Sequence, residues 1–479
     1  MKGRFLAFLL LLKSAAFAQP AFQHSYAMGS QNEGKAAAIA ANHDLFFAGT
    51  TNDNNLSQSN IYLLCTDSAG NFRWQRSYGG GGVEQGTGLT LLADQTLMIG
   101  GYSNSFNLTS DYDGYILRVD AAGDTLWTRH VGTGSWDFLT SQCAGIGDTV
   151  VFAGYSYGNG SSLAQPWIVK ALSDGSIAST RILPIGEECF VNKVKVLSDG
   201  KILLGGYYGT GPNNPDDAWL GLCDASLDTI WNRRIDYGHA ERICGLDQFP
   251  NGDYLFAGRL TLSTNGFDQN MIGRMDNAGS LAWTNIAGGD STYDGFDDVF
   301  IRNDTLFCGA TTATFGQGAR DFQLITFDGA GNFLIGKTYG GPEGDQVRSC
   351  IPGEFGGVIL TGYSNSFPVD QQTLFVVRTD SALESTNNTV IGVSELSKNN
   401  LMVYPNPVRS NQELTVSSAV PLQEIVLTDL SGRIVLRQYP NRKEINLAIT
   451  SQSAGIYLLG CRYQDNDWMI RKVMISGDH

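Results

Sequence analysis

Histidine is scarce in this 479-residue chain: His24, His43, His130, His239 and His479, with no two at metal-ligand spacing. A histidine-built zinc centre and a Ser-His-Asp triad therefore have little to draw on. No G-x-S-x-G elbow occurs, and no GK[ST] phosphate loop. The run Gly79–Gly82 lacks that ending and precedes a strand pattern, so it reads as a turn. The eight cysteines include no CxxC pair. They read as small buried apolar thiols, with cross-sheet disulfides as the alternative that an exported protein permits. Helical periodicity is absent, and no segment after the N-terminus is apolar for long enough to span a bilayer. Basic residues are also few, 32 against 47 acidic, for a net charge of -15. The imbalance is concentrated in residues 19–400, which hold 21 basic and 40 acidic groups. Such a surface repels phosphate backbones and argues against a nucleic-acid partner.

What the chain has in excess is glycine, 58 residues, with 11% aromatics and only 13 prolines. That composition belongs to many short strands joined by tight turns. The first 18 residues read as a signal peptide. Lys2 and Arg4 precede the apolar run Phe5–Leu12, and Ala16-Phe17-Ala18 is a small-x-small cleavage site.

A strand ending in a small residue plus glycine recurs along the chain. Its glycines are Gly49, Gly101, Gly154, Gly206, Gly258, Gly309 and Gly362, spaced 52, 53, 52, 52, 51 and 53 apart. So regular a period means a repeat architecture. Each unit offers four strands. Strand a follows a Gly-rich loop and strand b carries the recurring glycine. Strand c usually closes in Asp, and strand d often carries Trp (Trp74, Trp127, Trp231, Trp283). Four short antiparallel strands repeated seven times predict a seven-bladed β-propeller. The seventh unit lacks strand d, and FQHSYAM (22–28) matches WQRSYGG (74–80). The N-terminal strand is therefore expected to complete blade seven and close the ring. The expected class is all-β, with the propeller at 19–384, a polar linker at 385–400 and a small β-sandwich at 401–479.

The units resemble the Gly- and Asp-rich propeller repeats of secreted Bacteroidetes proteins; WQRSYGG (74–80) and GKTYGGPEGD (336–345) carry the likeness. The D-x-x-G-x-x-x-W element is also loosely similar to the Trp-docking repeat of quinoprotein propellers. The C-terminal segment resembles the type A sorting domain of the type IX secretion system. The matching residues are Tyr404-Pro405-Asn406-Pro407, the Asp429-x-x-Gly432-Arg433 turn, Gly455-Ile456-Tyr457 and the terminal Lys472-x-Met474-Ile475. The resemblance implies two partners for residues 401–479, an outer-membrane translocon and a sortase-like peptidase. It also implies delivery to the cell surface or the medium.

Candidate chemistry is sparse. An acidic residue recurs where each loop meets strand a: Glu33, Glu84, Asp137, Glu188, Glu241, Asp294 and Asp345. These are expected near one mouth of the central channel, with each carboxylate satisfied by its own loop; a cation site is the alternative. Asp111-x-Asp113-Gly114 is a fragment of a calcium-loop pattern, which makes Asp111 and Asp113 candidate metal ligands. Asp297 and Asp298, as neighbours on a strand, point to opposite faces and make a poor glycosidase pair. The aromatics opening strand c (Tyr62, Tyr115, Trp167, Trp219, Phe375) read as core. The b–c loops Tyr157–Pro166, Gly209–Asp216 and Leu262–Phe267 break the repeat and are the better binding candidates. No cofactor is expected. The function read from these features is an exported binding or adhesion protein with a glycan or protein ligand. The alternative is a secreted propeller enzyme, a glycan hydrolase or lyase or a quinoprotein-like oxidoreductase.

Overall fold

A computed structural model describes residues 20–476, apart from 29–30, 53–57, 107–110, 159, 161, 210–215, 263–265, 289–292, 368, 387, 393–400, 407, 430–432, 451 and 464–467. The chain is all-β. Six four-stranded antiparallel sheets run in sequence order over 31–78, 84–131, 137–182, 188–235, 240–287 and 294–339. Sheet two, for example, consists of Glu84–Leu91, Leu97–Ser103, Asp113–Val119 and Thr125–Val131. The seventh sheet pairs Asp345–Pro352, Val358–Ser366 and Val369–Arg378 with the N-terminal strand Phe22–Ala27. His24 lies opposite Val376, and Tyr26 opposite Leu374. Asn388–Gly392, within the segment expected as linker, adds a fifth strand parallel to Phe22–Ala27. It covers an edge whose backbone groups would otherwise be unpaired.

The first strand of each sheet packs against the first strand of the next, and the seventh packs against the first. The apolar core lies between the sheets. Sheets seven and one share Phe22, Tyr26, Phe47, Tyr62, Leu374 and Val376, and each following junction has its own cluster. Tyr62, Trp167, Trp219 and Phe375 are each at most 2% exposed, as core residues should be.

The recurring polar residues have local causes. Asp67, Asp120, Asp224, Asp276, Asp328 and Asp380 each accept the N–H groups of residues i+2 and i+4 at 2.8–3.0 Å. This is why strand c closes in Asp: the carboxylate organises the c–d turn. Gly123 occupies one such turn with φ 81°, where a side chain would be strained. In unit three Leu172 takes the Asp position, and Asp174 accepts the Ser176 N–H instead.

A tyrosine near the end of the outermost repeat strand joins neighbouring sheets. Tyr78 donates to the Gly123 carbonyl at 2.8 Å, and Tyr339 donates to Leu383 at 2.7 Å. Tyr26, on the N-terminal strand, makes the same bond to Gly70 at 2.6 Å. The sequence match between 22–28 and 74–80 thus reflects a shared structural task. Tyr78→Phe should cost about 1 kcal/mol by leaving the buried Gly123 carbonyl unpaired. A lowered denaturation midpoint with an unchanged denaturant slope would show it.

The C-terminal segment forms two sheets around a core of its own. One sheet is Leu401–Tyr404, Glu413–Leu422 and Arg442–Ala448; the other is Val408–Arg409, Trp468–Ser476, Gly455–Arg462, Glu424–Asp429 and Ile434–Gln438. Leu414, Val416, Ile425, Leu427, Leu459 and Val473 fill the space between them. All eight cysteines are free thiols, six of them buried.

Candidate functional site

Each of the seven sheets has a β-bulge in its first strand, always opposite the same position of the second strand. In six sheets that facing residue is the recurring glycine. A Cβ on Gly49, Gly101, Gly154, Gly206, Gly258 or Gly362 would lie 1.8–1.9 Å from a carbonyl oxygen of the first strand. Those six sheets keep glycine there because their bulged backbone leaves no room for a Cβ. In sheet six the register puts Ala310 opposite Phe296, so Ala310, and not Gly309, holds the position.

The bulged residues are Lys35, Thr87, Thr140, Asn192, Cys244, Asp297 and Arg348. All seven line one central cavity of about 390 Å³, together with Ser141, Lys193, Tyr207, Arg242 and Arg259. Two arcs differ. In sheets two to four the bulged side chains tie inner strands together: Thr87 donates to the Leu139 carbonyl at 2.8 Å, Thr140 to Val191 and Asn192 to Ile243 at 2.9 Å. Across sheets five, six, seven and one the arc is charged. Arg259 pairs with Asp297 at 2.5 Å, and Lys35 with Glu33 at 2.8 Å. Arg348 bridges Glu33 and Asp297.

The cations face the cavity and are more exposed than their counter-ions, of which Asp297 also lines it. Lys35, Lys193, Arg242, Arg259 and Arg348 have side chains 25–47% exposed, while those of Glu33, Asp216, Asp297 and Asp298 are 5–20% exposed. Burial pushes the Glu33 carboxyl up, but Lys35 and Arg348 outweigh it and hold the group below its ordinary range. Burial lowers the Lys35 ammonium, and Glu33 partly offsets that. Asp297 raises the Arg259 guanidinium. Asp297 is the extra residue of its bulge, so simple alternation does not describe the Asp297–Asp298 pair. Asp297 turns to the cavity, while Asp298 binds Lys193 at 2.6 Å and accepts the Cys350 N–H at 3.1 Å.

The acidic column differs from the ring expected around the channel. Strand register gives its members as Asn32, Glu84, Asp137, Cys189, Glu241, Asp294 and Asp345. Glu33 lies one residue further on, beside the cavity, and Glu188 one residue earlier. The five remaining carboxylates are at most 1% exposed and do not line the cavity. Glu84 accepts from Ser103 at 2.6 Å and from the Gly80 N–H at 2.8 Å. Asp137 accepts the Thr133 N–H at 2.6 Å, and Asp294 the Thr312 hydroxyl at 2.6 Å. Asp345 takes the Gly341 N–H at 2.8 Å and the Ser366 hydroxyl at 3.0 Å. Burial raises Glu84, Asp137 and Asp345 despite these bonds. Glu241 is pushed up to about 7 by burial, with Asp236 and Asp217 adding to the shift.

Asp111 accepts the Trp136 indole N–H at 2.9 Å, and the Asp113 charge helps raise Asp137. Among the described residues, no third metal-ligating side chain joins Asp111 and Asp113; Asp217, Asp236 and Glu241 form the one such group. The tips of the b–c loops fall on residues 210–215, 263–265, 159 and 161, outside the described residues. No sequence motif flagged the cavity. The signal that would have found it is a repeat column, Lys35 to Arg348, that is polar in every unit but that of Cys244 while its residue type changes in nearly every unit.

In the C-terminal segment, Asn406 is the fastener. Its amide donates to the Lys472 carbonyl at 2.9 Å and accepts the Met474 N–H at 2.8 Å, which ties the Tyr-Pro-Asn turn to the last strand. Asp429 accepts from the Arg433 backbone and side chain at 3.1 and 3.0 Å. Tyr457 donates to the Ser453 carbonyl at 2.8 Å, and Gly455 opens the same strand. Tyr404 meets Phe106 of sheet two edge-on at 6.3 Å, next to Pro405. Pro407 and Gly432 lie outside the described residues.

Residues 402–476 match the secretion system C-terminal sorting domain. The sorting domain indicates delivery by the type IX system to the cell surface or extracellular space. Among the described residues, no helix is long and apolar enough to cross a membrane. No curated protein matches the chain. Among solved structures it is similar to PorZ, a surface component of the type IX secretion system of Porphyromonas gingivalis. The identity is 11% and the TM-score 0.45, over 92% of this chain and 59% of that one. It is similar also to the extracellular domain of BT4673 from B. thetaiotaomicron, with 11% identity and a TM-score of 0.44, over 93% of this chain and 57% of that one. A third is the WD40 β-propeller domain of Doa1, with 13% identity and a TM-score of 0.45, over 75% of this chain and 97% of that one. The chain thus spans less than two thirds of the length of the first two.

Proposed function

We propose that residues 22–392 form a closed seven-bladed β-propeller, that the sorting domain is a β-sandwich, and that the mature protein is an exported binding protein. Its ligand is a small anion rich in hydroxyls, an acidic sugar being the best match, held in the central cavity. The observation that carries this reading is the lining of the cavity. One bulged residue from each of seven sheets converges there, and five cationic heads face inward on a chain whose net charge is -15. A volume of about 390 Å³ falls within the range of small-molecule sites. Thr87, Thr140, Ser141 and Asn192 supply hydroxyl and amide groups beside the charged arc, and Tyr207 supplies an aromatic face. Arg259 and Arg348 offer planar forks suited to a carboxylate or sulfate. Glu33 and Asp297 are both clamped by cations, which suits neither to donate a proton to a glycosidic oxygen. That favours binding over hydrolysis.

The test is a panel of immobilised acidic and neutral oligosaccharides probed with residues 19–479. Retention by acidic members alone, weakening as salt is raised, is the expected pattern. Binding that ignores ligand charge, or breakdown of a polysaccharide, would contradict the reading. The export part of the proposal brings the translocon and a sortase-like peptidase as partners, acting through residues 401–479.

A further inference from the structure

At the junction of sheets four and five the hydroxyl donor that serves other buried carboxylates is missing. Glu84, Asp294 and Asp345 each receive a hydroxyl from the end of their second strand. The residue facing Glu241 is Leu260, which has none to give. Glu241 is 0% exposed, its Oε1 accepts only the long N–H bonds of Tyr237 and His239 at 3.3 and 3.2 Å, and its Oε2 has no partner at all. A bare carboxylate oxygen in that position is costly.

Two further carboxylates converge on it. Asp217 opens the third strand of sheet four, and Asp236 follows the fourth. One oxygen from each of Asp217, Asp236 and Glu241 lies within 4.8 Å of the other two. Arg234 approaches Asp217 at 3.3 Å, and the Gly238 N–H binds Asp236 at 2.7 Å. Arg234 also pairs with Glu187 at 2.5 Å, so the cluster holds more carboxylate than the one nearby guanidinium can offset. Asp236 is exposed, so the group opens to solvent on one side while Glu241 closes it on the other. A corresponding pair of acids occurs at two other junctions, Asp113 with Asp137 and Asp321 with Asp345. There, hydroxyl and backbone donors serve the buried member, although Asp345 Oδ1 also lacks a hydrogen bond, and among the described residues no third carboxylate joins.

We propose that Asp217, Asp236 and Glu241 hold one divalent cation, Ca²⁺, which completes the junction between sheets four and five. An all-carboxylate donor set suits a hard cation, and a divalent charge offsets the local excess of carboxylates. The bare Oε2 of Glu241 becomes a ligand. The site is distinct from the central cavity and does not depend on what that cavity binds.

The test uses residues 19–479 freed of metal by a chelator and titrated with CaCl₂, following the thermal midpoint. The expected result is a saturable rise with an apparent Kd of roughly 10⁻⁴–10⁻³ M, the range of extracellular modules. Asp236→Asn alters an exposed side chain and leaves folding intact; it should weaken the response about tenfold or more. Glu241→Gln should abolish the calcium response whatever it does to the metal-free midpoint, and Asp111→Asn should leave the response unchanged. No rise with calcium in the unaltered protein, or an equal rise in Asp236→Asn, overturns the proposal.

Discussion

Gly101→Val is expected to lower stability by about 3 kcal/mol or more, or to prevent folding outright. The new Cβ would lie 1.8 Å from the Gln85 carbonyl oxygen, 2.9 Å from its carbonyl carbon and 3.2 Å from the Gly86 Cα. All three are backbone atoms, so no side-chain rotation relieves the contact. Relief requires the first strand of sheet two to give up its bulge or its register with the second. Either change would move Thr87 out of the cavity lining and break its bond to Leu139. The substitution therefore tests the bulge as well as the glycine. Gly81→Ala, where nothing lies within 4 Å of the added carbon, should change stability by less than about 0.5 kcal/mol. Chemical denaturation of the two variants side by side separates a specific clash from a general intolerance of glycine loss. Equal, small effects would remove the proposed reason for the repeat's glycine.

Deleting residues 401–479 should abolish delivery to the surface and leave the protein in the periplasm. The segment has its own apolar core, centred on Leu414, Val416, Ile425, Leu427 and Leu459. The repeat units close their cores without it, through the junction clusters and the N-terminal strand. Its loss should thus remove the address and spare the remaining fold. Fractionation with antibody detection reads the first effect, and the thermal unfolding profile of the truncated chain reads the second. Normal surface delivery of the truncated chain would refute the role of the sorting domain. A narrower change, Asn406→Ala, removes both bonds that tie the Tyr-Pro-Asn turn to the last strand. It should reduce export in the same direction.

The strands and their order were legible because the period near 52 repeats in glycine, Asp and aromatic residues, each with a local backbone cause. The N-terminal strand was legible for the same reason: Tyr26 and Tyr78 perform one task. The cavity was not legible. A bulge inserts one residue into a strand and breaks the alternation by which faces are assigned. Asp297 accordingly read as one of two residues on opposite faces, and its true role as the extra residue of a bulge is a property of strand pairing. The same limit moved the acidic column. The loops leading into strand a vary in length, so counting from their acids selected Glu33 and Glu188, whereas hydrogen-bond register selects Asn32 and Cys189. The cluster around Glu241 needed a further comparison, between the donors that face each acid. The hydroxyl present in Ser103, Thr312 and Ser364 is missing in Leu260, a difference that means little until the strands are paired.

The most direct test of the account is a calorimetric titration of the tightest acidic oligosaccharide into residues 19–479 and into the Arg348→Met and Lys35→Met variants. Both changes keep the stem and remove the charge of a side chain that lines the cavity. Loss of a charge-assisted bond is worth about 1.5–3 kcal/mol, so affinity should fall roughly 10- to 100-fold in each variant, read at a temperature where each variant is folded. Unchanged affinity in both variants would place the ligand elsewhere and contradict the central claim.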